Sequence, residues 1–241
     1  MVYSTMKEAK YLDIHMHVIP FVDDGADDLE DAITMLRIAQ REGIHRVIAT
    51  PHSGAFDPWI NEVRKNYELL KDNVVDEGID VELMLGAEIR LDPVEVKKIM
   101  RRIKKGKYPS LNGTNVLLIE FLPSEQDFYD ISKCIETIIS TGYGVVIAHA
   151  ERYNNLSVEQ IYELCELGCL IQINFDDVIP IKGDIISEKA NRMLRDRRVS
   201  FIATDAHHSY RRTPHIHDAL EYLYEKYDSA YIDHIIAGEI N

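Results

Sequence analysis

Three cysteines in 241 residues, Cys134, Cys165 and Cys169, are too few for a disulfide framework. They fit a reducing compartment, so we expect a cytoplasmic protein in which they serve as small apolar residues. Cysteine-based phosphatase chemistry is excluded, since it needs an arginine six residues after the nucleophile and those positions hold Ser140, Ile171 and Phe175. No apolar run approaches the ~18 residues that cross a bilayer, so no membrane span is expected. Residues 1–10 lack the apolar centre of a secretory leader and read as an N-terminal arm. Basic charge is scarce as well: 27 Lys and Arg face 41 Asp and Glu, a net charge of −14 that argues against a nucleic-acid partner. Neither a GxGxxG turn nor a Walker loop marks a nucleotide site. With no linker, repeat or low-complexity stretch, residues 11–241 read as one domain.

What is present is a soluble balance, 46% hydrophobic and 28% charged, and a regular alternation of short apolar runs with amphipathic segments. Leu29, Ala32, Ile33, Leu36 and Ala39 recur at helical spacing, with Asp27 or Asp28 as cap and Gly43 as stop. Asp92-Pro93 caps a helix running to about residue 105. Strands are expected near residues 11, 45, 80, 115, 143, 169 and 199, mostly separated by helices, with helices at 213–226 and 228–237 closing the chain. Such alternation means a parallel sheet. Without an open-sheet nucleotide motif, an α/β barrel of about seven strands is favoured, with its active site at the C-terminal strand ends.

Those ends carry the chemistry. Leu12-Asp13-Ile14-His15-Met16-His17 is echoed by runs ending at His52, Glu88, Glu120, His149 and Asp205-Ala206-His207. Residues i and i+2 of a strand share a face, so His15 with His17, and Asp205 with His207, can each close on one site. A lone strand histidine is ordinarily a hydrogen-bonded core residue. Buried together, imidazoles and carboxylates are costly without a cation. A nitrogen and oxygen donor set without thiolate suits manganese, iron or zinc, and its size implies more than one ion. A hydrolase that activates water on metals is the chemistry such a rim fits.

The ordered segments Asp13-Ile14-His15-Met16-His17, Val22-Asp23-Asp24-Gly25, Ala49-Thr50-Pro51-His52, Gly86-Ala87-Glu88-Ile89-Arg90, His149-Ala150-Glu151-Arg152-Tyr153, Leu170-Ile171-Gln172-Ile173-Asn174 and Thr204-Asp205-Ala206-His207 resemble the polymerase and histidinol phosphatase (PHP) family. Within it the chain is most similar to the bacterial manganese-dependent protein-tyrosine phosphatases of capsule and exopolysaccharide operons. The resemblance implies a distorted (β/α)7 TIM-like barrel and three divalent ions, Mn2+ foremost, with Fe or Zn as substitutes. It implies that His15, His17 and Asp205 hold one ion, with Glu88 bridging to a second completed by Glu120 and His149. Asp24, His52 and His207 hold the third. Asp23 reads as a loop or capping carboxylate. Arg152 and Arg212 correspond to arginines near the phosphate, although Arg211 could replace Arg212, and Arg152 could instead pair with Glu151. His207 and Asp205 are candidates for proton transfer. The implied substrate is a phosphotyrosine protein, the tyrosine-rich tail of a bacterial tyrosine kinase, and a homo-oligomer is expected.

The chain departs from that family at Ser53, at Ala150 and at Phe175-Asp176-Asp177. The two aspartates would repel phosphate unless they face away or meet a basic peptide. Rival readings are a histidinol-phosphate type phosphatase, a metal-binding regulatory protein with little turnover, and a nuclease. His208, His215 and His217, on a polar stretch, read as solvated; the Tyr222, Tyr224, Tyr227 and Tyr231 run reads as packing or an oligomer contact.

Overall fold

A computed structural model describes residues 11–56, 59–122, 127–238 and 240; the arm expected at 1–10 lies outside them. The strands are β1 (Tyr11–Met16), β2 (Ile44–Ala49), β3 (Glu82–Leu85), β4 (Glu88–Arg90), β5 (Val116–Glu120), β6 (Gly144–Ile147), β7 (Leu170–Asn174) and β8 (Phe201–Ala203). The helices are α1 (Leu29–Arg41), α2 (Ser53–Phe56), α3 (Ile60–Asp76), α4 (Val96–Lys104), α5 (Phe128–Ile139), α6 (Val158–Glu166), α7 (Ile185–Arg195), α8 (His217–Lys226) and α9 (Ser229–Ala237). This is a single α/β domain in which every strand pairing is parallel.

The strands fall into two sheets, β1-β2-β3 and β4-β5-β6-β7-β8, rather than one continuous ring. The expected third strand breaks in two at Gly86-Ala87, where a Cβ on Gly86 would come within 3.1 Å of the Ile48, Leu111 and Thr50 side chains. At one seam Gly86 N donates to Ala49 O (2.9 Å) and Glu88 N to Pro51 O (3.2 Å). At the other, Asp205 N donates to His15 O and His17 N to Ala206 O, both at 2.8 Å. The end of the chain's last strand thus returns to the end of its first.

Local signals produced the helices. Asp28 Oδ1 accepts from Asp31 N at the start of α1, and its periodic residues Ala32, Ile33, Leu36 and Ala39 are buried. Asp92 Oδ1 caps a short 3-10 turn carrying Pro93 before α4. Cys134 and Cys169 are buried and Cys165 packs against the core, their thiols pushed up by burial, Cys169 to about 12. The tyrosine run also packs inward: Tyr222 and Tyr227 both donate to Asn191 Oδ1, and Tyr231 to Val199 O.

A candidate metal centre at the strand ends

The convergence starts on β1. His15 and His17 leave its end fully buried, their Nε2 atoms 3.2 Å apart. Each ring's other nitrogen has an acceptor: His15 Nδ1 faces Gln172 Oε1 (3.1 Å) and His17 Nδ1 faces Asp23 Oδ2 (2.8 Å). A donor at Nδ1 leaves the Nε2 lone pair directed inward, the tautomer a metal ligand needs. Asp23 is therefore no mere capping carboxylate. It also accepts from Gly25 N and His52 N. Its loop packs so closely that a Cβ on Gly25 would lie 2.1 Å from His17 O.

Around this pair stand His207, with its ring centroid 4.0 Å from that of His17, and His52, at 4.5 Å. Asp205 Oδ1 lies 3.4 Å from His15 Nε2. Glu88 reaches His149 Nε2 through Oε1 (2.9 Å), while its Oε2 lies 2.7 Å from His52 Nδ1. His52 also faces Glu120 at 3.5 Å through Nδ1, and Asp24 at 3.3 Å through Nε2. The ligand atoms form three overlapping groups, each spanning no more than 4.8 Å: His15, His17, Asp205; His17, Asp24, His52, His207; and His52, Glu88, Glu120. His52 sits between Glu120 and Asp24 and so joins two of the groups, and His149 meets Glu88, the residue with which it is expected to share an ion.

One contact decides what these groups fit. His52 Nδ1 and Glu88 Oε2 are 2.7 Å apart and buried, yet are misaligned for hydrogen bonding and have no other hydrogen-bond partner; His149 Nδ1 is likewise orphaned. Buried polar atoms left unpaired are costly. A cation shared among such unpaired donors would satisfy them, and the N and O donor set suits a divalent ion of manganese, iron or zinc type.

The electrostatics point the same way. Burial opposes charge on His17, yet Asp23 and Glu88 hold its pKa up at about 9. Burial likewise opposes charge on His52, which Glu120 and Glu88 hold up at about 11. Glu88 and Asp205 stay well below the carboxylate range despite burial, because imidazoles surround them. The pocket is a carboxylate cage that recruits positive charge.

Two guanidiniums close its rim. Arg212 donates to Asp205 Oδ2 at 2.5 Å and approaches His207 Nε2 at 3.0 Å. Arg211 turns instead to His208. Arg152 donates through Nε to Asp177 (2.7 Å) and through Nη1 to Asp205 Oδ2 (3.4 Å). Asp177 is thus a partner of Arg152. Neighbouring Glu151 is fully buried, and burial beside Asp177 pushes its carboxyl far up. The reading of His208 as solvated is corrected: it is 3% exposed, bonded through Asp31 and Arg211, because the loop after β8 folds back over the start of α1. His215 and His217 are exposed.

Several residues that the sequence named only within the resembling segments, without a role, have partners of their own here. Gln172 and Asn174 run along β7 as a polar relay: Gln172 Oε1 accepts from His15 Nδ1 and His149 N, its amide donates to Asn174, and Asn174 donates to Asp205 Oδ2. Their i, i+2 spacing within an apolar strand was the available signal. Asp13 accepts from His15 N, Thr204 N and Thr204 Oγ1, tying β1 to the end of β8. His149 and Asp205 adopt left-handed backbone, φ 34° and 51°, a conformation that costs ~1–3 kcal/mol at a non-glycine residue.

Comparison with known proteins agrees with this geometry. The family described as "Capsular polysaccharide synthesis, CpsB/CapC" matches residues 11–240. The tyrosine-protein phosphatase YwqE of Bacillus subtilis is 33% identical over 228 residues, covering 90% of this chain and 85% of its own. A crystal structure from work on YwqE of Bacillus subtilis and CpsB of Streptococcus pneumoniae, metal-dependent tyrosine phosphatases, superposes with a TM-score of 0.80 at 30% identity, covering 91% of this chain and 89% of that one. The phosphotriesterase homology protein of Escherichia coli shares the fold at 16% identity, with a TM-score of 0.54 and coverage of 95% and 96%.

Proposed function

The chain belongs to the CpsB/CapC family of capsular polysaccharide synthesis, and from that premise we propose that it is a metal-dependent protein-tyrosine phosphatase. The observation that carries the reading is the buried, misaligned approach of His52 Nδ1 to Glu88 Oε2 within a ring of imidazoles and carboxylates. Three divalent ions, Mn2+ foremost with Fe or Zn as substitutes, would be held by His15, His17, Asp24, His52, Glu88, Glu120, His149, Asp205 and His207. Bound there, such ions supply Lewis-acid stabilisation of phosphoryl oxygens and activation of water.

The chain's own residues do the remaining work. Gln172 and Asp23 fix the tautomers of His15 and His17. Arg152 and Arg212 meet at Asp205 Oδ2, where their planar forks can donate to phosphoryl oxygens in two-point geometry. Asp177 orients Arg152 from behind. A proton donor is a minor need, since a tyrosine leaving group has a pKa near 10. The candidates Asp205 and His207 are both disfavoured for that role. Imidazoles keep Asp205 ionised, and burial with the nearby His17 and Arg212 drives His207 down to about 3.

The reading extends to a phosphotyrosine protein as substrate, the tyrosine-rich tail of a bacterial tyrosine kinase, met in the cytoplasm by a homo-oligomer. Among the described residues no helix is long and apolar enough to cross a membrane. The two sheets, with their hydrogen-bonded seams, are read as one distorted (β/α)7 TIM-like barrel spanning residues 11–241. The test is metal analysis of the purified protein, with turnover of a phosphotyrosyl peptide and of histidinol phosphate with and without Mn2+. Manganese-dependent release of phosphate from the peptide is expected; hydrolysis of histidinol phosphate alone would overturn the reading.

A further inference from the structure

Phe21 is held at φ 67° while its ring is 62% exposed. A bulky residue in the left-handed region carries a strain of about 1–3 kcal/mol, and here burial returns little of it. The strain comes from the loop between β1 and α1. That loop doubles back so that Ala26 N meets His17 O (3.0 Å) and Phe21 N meets Ala26 O (3.3 Å), with Asn66 Nδ2 pinning Pro20 O (3.2 Å). The same loop carries Asp23 and Asp24 into the metal centre. Phe21 therefore stands, largely exposed, on the loop that feeds the site.

A cavity of about 310 Å³ opens beneath it, lined by Phe21, Val22, Ala55, Trp59, Glu62 and Val63. Trp59, 59% exposed, is a second aromatic on its wall. Its walls come from the same two segments that supply the site: Val22 precedes Asp23, and Ala55 lies in α2, three residues after His52, with its N bonded to His52 O (2.9 Å). The volume is at the lower end for ligand pockets, roughly 300–1,000 Å³, and suits one or two side chains rather than a cofactor. Five of its six described lining residues are apolar, and the sixth, Glu62, disfavours an acidic guest.

Resting on the phosphatase reading above, we infer that this cavity is a specificity pocket. It receives a bulky apolar side chain flanking the phosphotyrosine of the substrate protein, gripped between Phe21 and Trp59. Aromatic anchors in partly enclosed pockets dominate protein recognition, and tryptophan leads among them. The phosphate would be fixed by the metal centre and its arginines, and the neighbouring residue would fall where the β1–α1 loop meets α2.

Two phosphotyrosyl peptides, one flanked by leucine and phenylalanine and the other by glycine, separate this from a generic surface. Wild-type enzyme should favour the apolar peptide roughly tenfold in kcat/KM, mainly through KM, as expected for one aromatic contact. Phe21→Gly suits the backbone and relieves the strain, so it should fold at least as well as wild type while the ratio drops toward one. Trp59→Ala should do the same. An unchanged ratio in both variants, or no preference in wild type, overturns the proposal. Trp59 is the only tryptophan of the chain, so its fluorescence, titrated with nonhydrolysable phosphonate forms of both peptides, reads the pocket without turnover. A change specific to the apolar peptide in a protein lacking phosphatase activity would sustain the pocket and sink the phosphatase reading. Turnover of the apolar peptide with unperturbed fluorescence would do the opposite.

Discussion

Replacing Gly25 by alanine tests whether the β1–α1 loop holds the metal centre together. The new Cβ would lie 2.1 Å from His17 O, 2.6 Å from His17 Cβ and 2.9 Å from His17 C, where carbon contacts relax near ~3.5–4.0 Å. Most of those atoms are backbone, so the loop must retreat by more than an ångström. Two bonds then fail together: Asp23 to His17 Nδ1 (2.8 Å) and Asp23 to His52 N (2.9 Å). Overpacking costs about 1–3 kcal/mol, and a lost hydrogen bond to a charged group about 1.5–3 kcal/mol. We take roughly 2–4 kcal/mol as the net, since strain and broken bonds relieve one another in part, which in a domain of this size lowers Tm by about 5–15 °C. Freed from Asp23, His17 should also lose its tautomer, weakening divalent-ion affinity by about 10–100-fold. The control is Gly54→Ala, two residues after His52, where an added Cβ meets nothing within 4 Å. Melting curves with and without chelator, together with calorimetric Mn2+ titration, decide the matter. If Gly25→Ala melts and binds Mn2+ as Gly54→Ala does, the loop is not the brace described here.

Asp23→Asn should keep the loop in place but lose the anionic acceptor, so Mn2+ affinity falls about 10–100-fold with a smaller change in Tm; equal affinity by calorimetry refutes the pairing. Arg152→Lys keeps the charge and loses the fork, and kcat/KM on phosphotyrosyl peptide should fall on the order of 10²-fold, whereas Arg211→Ala, whose guanidinium turns to His208, should stay within a few-fold. Asp13 gives a pH signature: burial raises its carboxyl from 3.8 to about 6 against the bonds from Thr204 and His15. The folded state therefore binds a proton that the unfolded chain has released, so this contribution is complete below about pH 3.8 and lost as pH rises through 6. At 1.36 kcal/mol per unit the loss is about 3 kcal/mol. Asp13→Asn removes it, so urea melts of chelated protein should show the variant gaining on wild type between about pH 4 and pH 7.5, and parallel curves would refute the assignment.

The parts of this molecule legible in its sequence are those where a residue type is rare for its place. A histidine or carboxylate ending an apolar strand is such a case, and the proposed ligands at strand ends, from His15 to His207, stand out on that ground, whereas Asp24, in a loop, is named only by the family resemblance; the α/β alternation that brings strand ends together is legible too. The residues that aim those ligands were not readable, because their types are ordinary where they occur. Asp23 in an Asp-Asp-Gly loop is indistinguishable from a turn or cap, and only the approach of Gly25 to His17 gives it its role. Gln172 and Asn174 left a faint trace in their spacing, but nothing in a sequence says that one amide oxygen serves both His15 and His149. How the ligands divide among the ions is not legible for a related reason. His52 presents Nδ1 to Glu88 and Glu120 and Nε2 to Asp24, so one ring joins two groups, and the choice depends on a side-chain rotation that no spacing encodes. Backbone hand is equally silent: His149 and Asp205 follow ordinary β strands, yet both turn left-handed. That turn lets His149, just after β6, reach Glu88, and Asp205, just after β8, reach His15. Sequence therefore names the chemistry of this site, while the neighbours that hold each ring and each dihedral assemble it.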